Sequence, residues 1–407
     1  MFYLKVGYRN IVKNLRRSLI TMTSIIIGMV ACLLTHGFFN WNINELKESM
    51  IHSGIGHYQL YAAGYSKFGN DDPYQYLISD AAPIIKELRR IPQIDLVTTR
   101  MSFSGILASG SQSTIVTGEA GNPENEKKLN SDTHLVKGTY LSSKEPDGII
   151  IGDGVAKKLS AKIGDTLTLM GNMKDGGINA VDLKLVGITH SGYSELDNLS
   201  VTTSLSVIQN LLGIENNVQK IVILLKNTGD TSRILPMLIR ISKKYQLEYK
   251  NWESLAEFYH SLKLMYNVVF DIIIFIVLAI VVFTISNTVN MNLSERFREI
   301  GTIRALGTKR GQVALIFIVE SWLLGLAGGL LGLIISYLFI GFTECIGGLP
   351  VVIHGAQKPV LMHVFFHPTL AVIIICIMLF SLVAMAASII PSRRASKISI
   401  TEALRWI

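Results

Sequence analysis

Four long apolar runs set the rhythm of this chain. Ser18 to Phe39 carries no formal charge over a length that crosses about 30 Å of hydrocarbon as a helix. Leu264 to Met291 is broken only by Asp271 near its start, and Val313 to Thr343 holds a single acid, Glu320. Pro368 to Ile390 is closed by Pro391. The pattern predicts four membrane-spanning helices, at 18–39, 264–291, 313–343 and 368–391. The remaining segments are a basic amphipathic start (1–17), a large insertion (40–263), a charged loop (292–312), a short loop (344–367) and a tail (392–407).

Inside the insertion the period changes. Alternating or β-branched runs predict strands at 55–61, 94–101, 113–118, 166–170, 181–188 and 220–225. Helical periods with start signals predict helices at 79–90, 153–160, 204–212, 231–244 and 253–262. Lys174-Asp175-Gly176-Gly177 lies between two alternating runs and is a hairpin turn by its chemistry. The expected fold class is therefore an integral membrane protein, α-helical in its four spans. Its large extracytoplasmic α+β domain is inserted between helices 1 and 2. Two lobes are expected in that domain, one from the ends (45–130 and 215–262) and one from the middle (135–210).

Composition agrees with a membrane protein. The chain is 49% hydrophobic and 17% charged, against about 25% charged in a soluble domain. That excludes a soluble enzyme of two ordinary domains. The net charge of +8 suggests nucleic acid until it is mapped. Segments 1–17, 292–312 and 392–407 hold 14 of the 38 Lys and Arg against three acids, Glu295, Glu299 and Glu402, so the rest of the chain is slightly acidic. The basicity therefore belongs to membrane topology, and no nucleic-acid partner is expected. Lys and Arg counted near span ends put both termini and 292–312 in the cytoplasm and the insertion outside. Arg16-Arg17 and Met29-Val30-Ala31-Cys32 imitate a cleaved lipoprotein signal, but the apolar run continues through Leu33, Leu34 and Phe38, which predicts a retained span.

Catalytic chemistry is thin. No G-x-x-x-x-G-K-[ST], G-x-S-x-G or H-E-x-x-H occurs. The insertion lacks cysteine, so neither a disulfide framework nor a cysteine metal site is available there. Its histidines (His52, His57, His134, His190, His260) are scattered singly, and Asp153-Gly154 and Asp165 read as turn residues. No catalytic residue, metal site or cofactor of this chain's own is expected.

The informative stretch follows the second span. Asn292 or Ser294 can cap a helix whose Glu295 suits the dipole, and Ile300, Ile303 and Leu306 recur at helical spacing with Arg296, Glu299 and Arg304 on other faces. Gly307 gives it a place to stop. A short charged helix at the cytoplasmic surface either anchors topology or docks into a soluble partner. The run Glu295-Arg296-Phe297-Arg298-Glu299-Ile300-Gly301-Thr302-Ile303-Arg304-Ala305-Leu306-Gly307 resembles the coupling segment of the FtsX/MacB/LolC-LolE permeases, the type VII ABC transporters. Other pieces agree: Glu320-Ser321 before a glycine-rich span, Pro391-Ser392-Arg393-Arg394-Ala395-Ser396 leading to Glu402-Ala403-Leu404-Arg405, and Lys137-Gly138-Thr139-Tyr140-Leu141 with Gly164-Asp165-Thr166-Leu167 in the insertion. Gly192-Tyr193-Ser194-Glu195-Leu196-Asp197-Asn198 is most like the lipoprotein-releasing permeases.

The resemblance implies a non-catalytic permease subunit of the bacterial inner membrane, paired with a second permease copy, identical or not. A cytoplasmic ABC ATPase dimer binds the ATP and Mg2+. ATPase contacts then fall on Glu295, Arg296, Arg298, Glu299, Gly301, Arg304, Ala305 and Gly307, and ATP-driven closure moves the spans and reshapes the periplasmic domain. Three functions follow from the family: lipoprotein or lipid extraction, MacB-like export of peptides or small molecules, and FtsX-like regulation of cell-wall hydrolases. The periplasmic partner is accordingly a carrier, an adaptor or a hydrolase. A partner hairpin would correspond to Lys174, Asp175, Gly176 and Gly177, which lacks the longer proline-bearing loop of the lipoprotein-releasing permeases. A lipid-extracting version needs an apolar cleft between Phe38 and Phe39 of the first span and Val268 and Val269 of the second.

Within the spans, Gly325, Gly328, Gly329 and Gly332 form two overlapping G-x-x-x-G steps. Such steps let helices approach closely in lipid, either in the same subunit or in a second copy. Asp271 and Glu320 are costly in hydrocarbon unless hydrated or paired. Asp271 falls where an outer substrate cavity would open, and Glu320 can snorkel or pair with Arg310 or the basic start.

Overall fold

The computed structural model describes residues 2–13, 15–69, 72–131, 133–191, 194–354 and 359–396. They form two compact units, one of Glu45–His260 and one of the residues up to Asn44 together with those from Ser261 onward.

The Glu45–His260 unit is built on one ten-stranded sheet. Its strands are β1 (Tyr58–Ala62), β2 (Ile94–Ser109), β3 (Gln112–Gly121), β4 (His134–Gly138), β5 (Gly148–Gly152), β6 (Thr166–Asn172), β7 (Ile178–His190), β8 (Ser200–Ser204), β9 (Lys220–Leu225) and β10 (Leu247–Asn251). Their order is β10-β1-β9-β2-β3-β8-β5-β7-β4, and β6 pairs with both β2 and β7. The two pairings of β6 close β2, β3, β8, β5, β7 and β6 into a six-stranded ring, a small barrel. Inward side chains fill a barrel of this size: Met101, Phe103, Leu107, Val116, Ile149, Ile151, Leu167, Leu169, Leu183, Leu185 and Val201 form one buried core, joined by Val207, Ile208 and Leu211 of the helix Leu205–Leu212. β10, β1 and β9 extend from β2 as an open wing. Helices Ala81–Leu88 and Thr231–Tyr245 cover it with Ile84, Leu88, Ile234, Leu238 and Ile241.

The two-lobe division needs a correction. Met101, Phe103, Leu107, Val116 and Ala120, in the stretch assigned above to the lobe of the ends, share one core with residues between 149 and 214, and β2 runs unbroken through both halves. Its first part pairs with β9 (Arg100 opposite Lys220) and its second with β3 and β6 (Leu107 opposite Thr114 and Leu169). Where they meet, buried Arg100 donates to both carboxylate oxygens of Glu126 at 2.8 and 2.7 Å and to the Gly54 carbonyl. Lys220 donates to Glu119 at 2.7 Å. Burial pushes the Glu119 carboxyl up, but Lys220 and Arg100 outweigh it and hold the group below the usual carboxylate range.

In the other unit we label the helices α1 (Phe2–Lys13), α2 (Leu15–Met50), α3 (Glu257–Glu295), α4 (Phe297–Ala305), α5 (Arg310–Cys345) and α6 (Leu370–Ser396). Four of them, α2, α3, α5 and α6, are long and apolar enough to cross a membrane. α2, α3 and α5 outrun their apolar stretches at both ends, and α6 outruns its own at the C-terminal end. The helix expected at 253–262 divides into a turn, Trp252–Leu255, and the start of α3, with the break at buried Ala256. Pro391 lies inside α6 and does not end it. Its missing N–H frees the carbonyl of Ala387 four residues back, and Ser286 of α3 donates to that oxygen at 3.1 Å. The 344–367 loop contains a hairpin, Leu349–His354 with Pro359–Val364.

Lipid gives helices no hydrophobic reason to associate, so close approach matters. The glycines of α5 supply it inside this chain. A Cβ added at Gly325 would lie 2.7 Å from Ala384 of α6; at Gly328 it would lie 2.9 Å from Ile25, and at Gly332 2.7 Å from Met29, both of α2. A Cβ at Gly329 would meet the Ile377 Cα of α6 at 4.0 Å. One G-x-x-x-G step therefore faces α6 and the other α2.

Candidate functional site

The charged residues of the coupling stretch meet the basic start of the chain. α3 runs on to Glu295, so Asn292 and Ser294 lie within it and cap nothing. Arg296 is the N-cap of α4, with no side-chain cap. This correction has a geometric reason: Arg296 is the kink residue between two helices, and its side chain turns inward. It donates through Nη2 to the Asn10 Oδ1 of α1 at 2.8 Å, and its Nη1 lies 3.7 Å from the Glu320 carboxylate of α5. Asn10 in turn donates to Glu320 at 3.3 Å. Glu320 is 3% exposed. Its partners are thus Asn10 of the basic start and Arg296, in place of Arg310.

Two outer pairs surround this buried triangle. Lys13 donates to Glu299 at 3.1 Å, and Arg17 clasps Glu295 with both guanidinium nitrogens while reaching Asn292. The acids of the coupling stretch are therefore engaged by α1 and α2. Exposed pairs of this kind are worth under about 1 kcal/mol each, whereas the triangle around Glu320 is desolvated. Together they fasten the base of α4 to α1 and α5, and the end of α3 to α2.

The tip of α4 is different. Of the three apolar residues that recur at helical spacing, only Ile300 is buried (4%); Ile303 is 41% and Leu306 83% exposed. The helix stops at Ala305, and Gly307 just beyond it takes a φ of +96°, which reverses the chain. Gly301 is buried, Arg304 intermediate, and Arg298, Ala305 and Gly307 exposed. The surface offered by α4 is therefore an apolar tip flanked by Arg298.

The other candidates disperse. Phe39 stacks on Tyr266 of α3 with centroids 4.4 Å apart, and Tyr266 donates to Asn42 at 2.9 Å. Phe38 tilts against Trp41. Val268 and Val269 lie 50% and 37% exposed on α3, whose Asp271 is also exposed. Lys174, Asp175, Gly176 and Gly177 form the exposed turn between β6 and β7, closed by Met173 N–H to the Gly177 carbonyl at 2.7 Å. In the tail, Glu402, Ala403, Leu404 and Arg405 lie outside the described residues.

Residues 18–236 match the model of the MacB-like periplasmic core domain, and residues 272–400 that of the FtsX-like permease C-terminal domain. The chain belongs to the MacB/FtsX/LolC family of ABC transporter permeases. An ABC transporter permease of Methanocaldococcus jannaschii is 23% identical to this permease over 98% of its chain and 96% of the relative. The lipoprotein-releasing system transmembrane protein LolC of Neisseria meningitidis is 25% identical over 63% of this permease and 65% of LolC. LolE of Haemophilus influenzae is 24% identical, over 78% and 79%. The solved periplasmic region of MacB from Actinobacillus actinomycetemcomitans is similar over 51% of the permease and 94% of that chain, at 14% identity and a TM-score of 0.36.

Two residues, one in each unit of the permease, escaped the sequence. Asn10 sits in the basic start at i,i+3 from Gly7, and that uncharged pair marks the face of α1 laid on α5, where a Cβ at Gly7 would come within 3.3 Å of Leu323. His190, read as solitary, lies beside Asp153 and Asp197.

Proposed function

We propose that this permease is the transmembrane subunit of a transporter whose ATP and Mg2+ are held by a separate cytoplasmic ABC ATPase dimer. Two permease copies would work together in the bacterial inner membrane, with termini in the cytoplasm and the α+β domain in the periplasm. Its task is to release lipoproteins or lipids from that membrane. The observation that carries the coupling step is the contrast within α4: a base fastened to α1 and α5 through Arg296, Asn10 and Glu320, and an exposed apolar tip at Ile303 and Leu306. A partner that grips the tip moves the base, and three other helices with it. The similarity to LolC and LolE over most of the chain supports the lipoprotein reading. The compact Met173–Gly177 turn favours, as a second reading, an exporter of the MacB kind with an adaptor.

The test is co-expression with a candidate ABC ATPase from the same genome, followed by capture in detergent and assay in nanodiscs. Leu306→Asp is expected to lower ATPase capture at least tenfold at unchanged thermal stability. Mass spectrometry of the captured complex should find acylated protein or lipid. Undiminished capture by Leu306→Asp defeats the coupling step, and co-purified soluble peptides without lipid defeat the lipoprotein reading.

A further inference from the structure

We propose that Asp153, His190 and Asp197 form a divalent-cation site in the α+β domain, of the mixed imidazole and carboxylate kind that takes Zn2+. The three come from separate stretches: the first turn of the helix Asp153–Lys158, the last residue of β7, and the turn Ser194–Asp197. One donor atom from each lies within 4.8 Å of the others. His190 Nδ1 is 2.7 Å from Asp197 Oδ2 and 3.6 Å from Asp153 Oδ1. Donors on a tetrahedral Zn2+ stand about 3.4 Å apart, so the two spacings bracket what the ion requires.

The state of the donors points to a ligand. Asp197 is 2% exposed, yet its Oδ2 and the facing His190 Nδ1, both buried, make no hydrogen bond: at 2.7 Å they are misaligned for one. Leaving such atoms unsatisfied is costly, and a cation satisfies both at once. Each carboxylate meanwhile has its other oxygen tied down. Asp197 Oδ1 accepts from the Ser191 N–H at 2.9 Å and its hydroxyl at 2.7 Å, and Asp153 Oδ2 accepts from Lys157 at 3.1 Å. This is how outer partners orient metal ligands. Glycines allow the approach: a Cβ at Gly152 would fall 2.3 Å from the Asp197 carbonyl oxygen, and one at Gly154 2.2 Å from Asn198 Oδ1. With 38% of its side chain exposed, His190 leaves the cation a way in from solvent. Bound there, the ion would pin the end of β7 to the helix and turn beside it.

The experiment uses the full chain, purified in detergent and stripped with EDTA. Zn2+ titrated by calorimetry should bind one ion per chain, and Co2+ in its place should give visible ligand-field bands that Zn2+ abolishes. Zn2+ at a hundredfold excess over its Kd should raise the midpoint of the domain's unfolding by about 5 °C or more. Asp153→Asn, His190→Gln and Asp197→Asn should each weaken binding at least tenfold. Should Asp197→Asn misfold, the other two variants carry the test. Absence of stoichiometric Zn2+ uptake, or uptake that survives both His190→Gln and Asp153→Asn, overturns the proposal.

Discussion

Replacing Arg296 by Met should loosen the helical bundle measurably, because it strands Glu320. The carboxylate is 3% exposed and, among the described residues, its cationic contact is the Arg296 guanidinium at 3.7 Å. At that distance and an effective dielectric of about 20 the attraction amounts to about 4 kcal/mol, in line with the 3–5 kcal/mol that breaking a buried pair from one side costs. Asn10 loses its donor from Arg296 in the same step. Removing both charges, in Arg296→Met/Glu320→Gln, should recover most of the loss, since no stranded charge remains. The chain carries its own reporter: Cys32 and Cys376 are buried in the bundle core, and Cys345 is exposed. In a Cys345→Ser background, a thiol-reactive fluorophore reports the temperature at which the bundle opens. The single variant should fall by about 10 °C and the double variant by less than half of that. Equal losses in single and double variants, or no loss in either, would refute an ion-pair role for Arg296.

Three further outcomes are expected. Gly328→Leu drives a side chain into Ile25 of α2, where even a Cβ comes within 2.9 Å; overpacking of at least 1–3 kcal/mol is expected, and the same thiol assay reads it. Burial lowers the His57 pKa from 6.5 to about 4, helped by nearby His52 and Lys47 and opposed by Glu48. Between those values the unfolded chain holds a proton that the folded chain refuses, so stability falls as pH drops from 6.5 toward 4, by up to about 3 kcal/mol; unfolding at pH 7 and 4.5 should show a smaller difference in His57→Gln. Ser286→Ala should cost about 1 kcal/mol by leaving the Ala387 carbonyl without its donor, and should cost nothing in a Pro391→Ala background, where the backbone N–H is restored.

What could be read from the sequence was local. A run such as Ser18–Phe39, the turn at Lys174–Gly177 and the stop at Gly307 are each decided by a few neighbouring residues, and each has its counterpart in the structure. The barrel was not legible, because its closure depends on Leu107 finding Leu169 and on Thr117 finding Ser200 in parallel, and no local period records a partner so far along the chain. Which residues of the coupling stretch are buried was not legible for a different reason. Helical spacing groups Ile300, Ile303 and Leu306 on one side, but a nine-residue helix bounded by a kink at Arg296 and a reversal at Gly307 has room to bury only the first. Charge likewise carries no direction in a sequence: Arg298 points out and Arg296 in, and only the presence of Asn10 and Glu320 distinguishes them. His190, Asp153 and Asp197 escaped because their stretches read as strand end and turns, and it is the glycines at 152 and 154 that bring them together.

The sixteen residues of β2 bear on how the domain can deform. Because a single ribbon is woven into both the ring and the wing, the two halves cannot swing apart like plates on a loop. Bending would have to peel the ladder that β2 shares with β9 or crack the seam with β3. Twisting about the ribbon's own axis leaves those ladders in register. The domain is therefore soft in torsion and stiff in flexion, and strain applied at one end should emerge at the other as rotation.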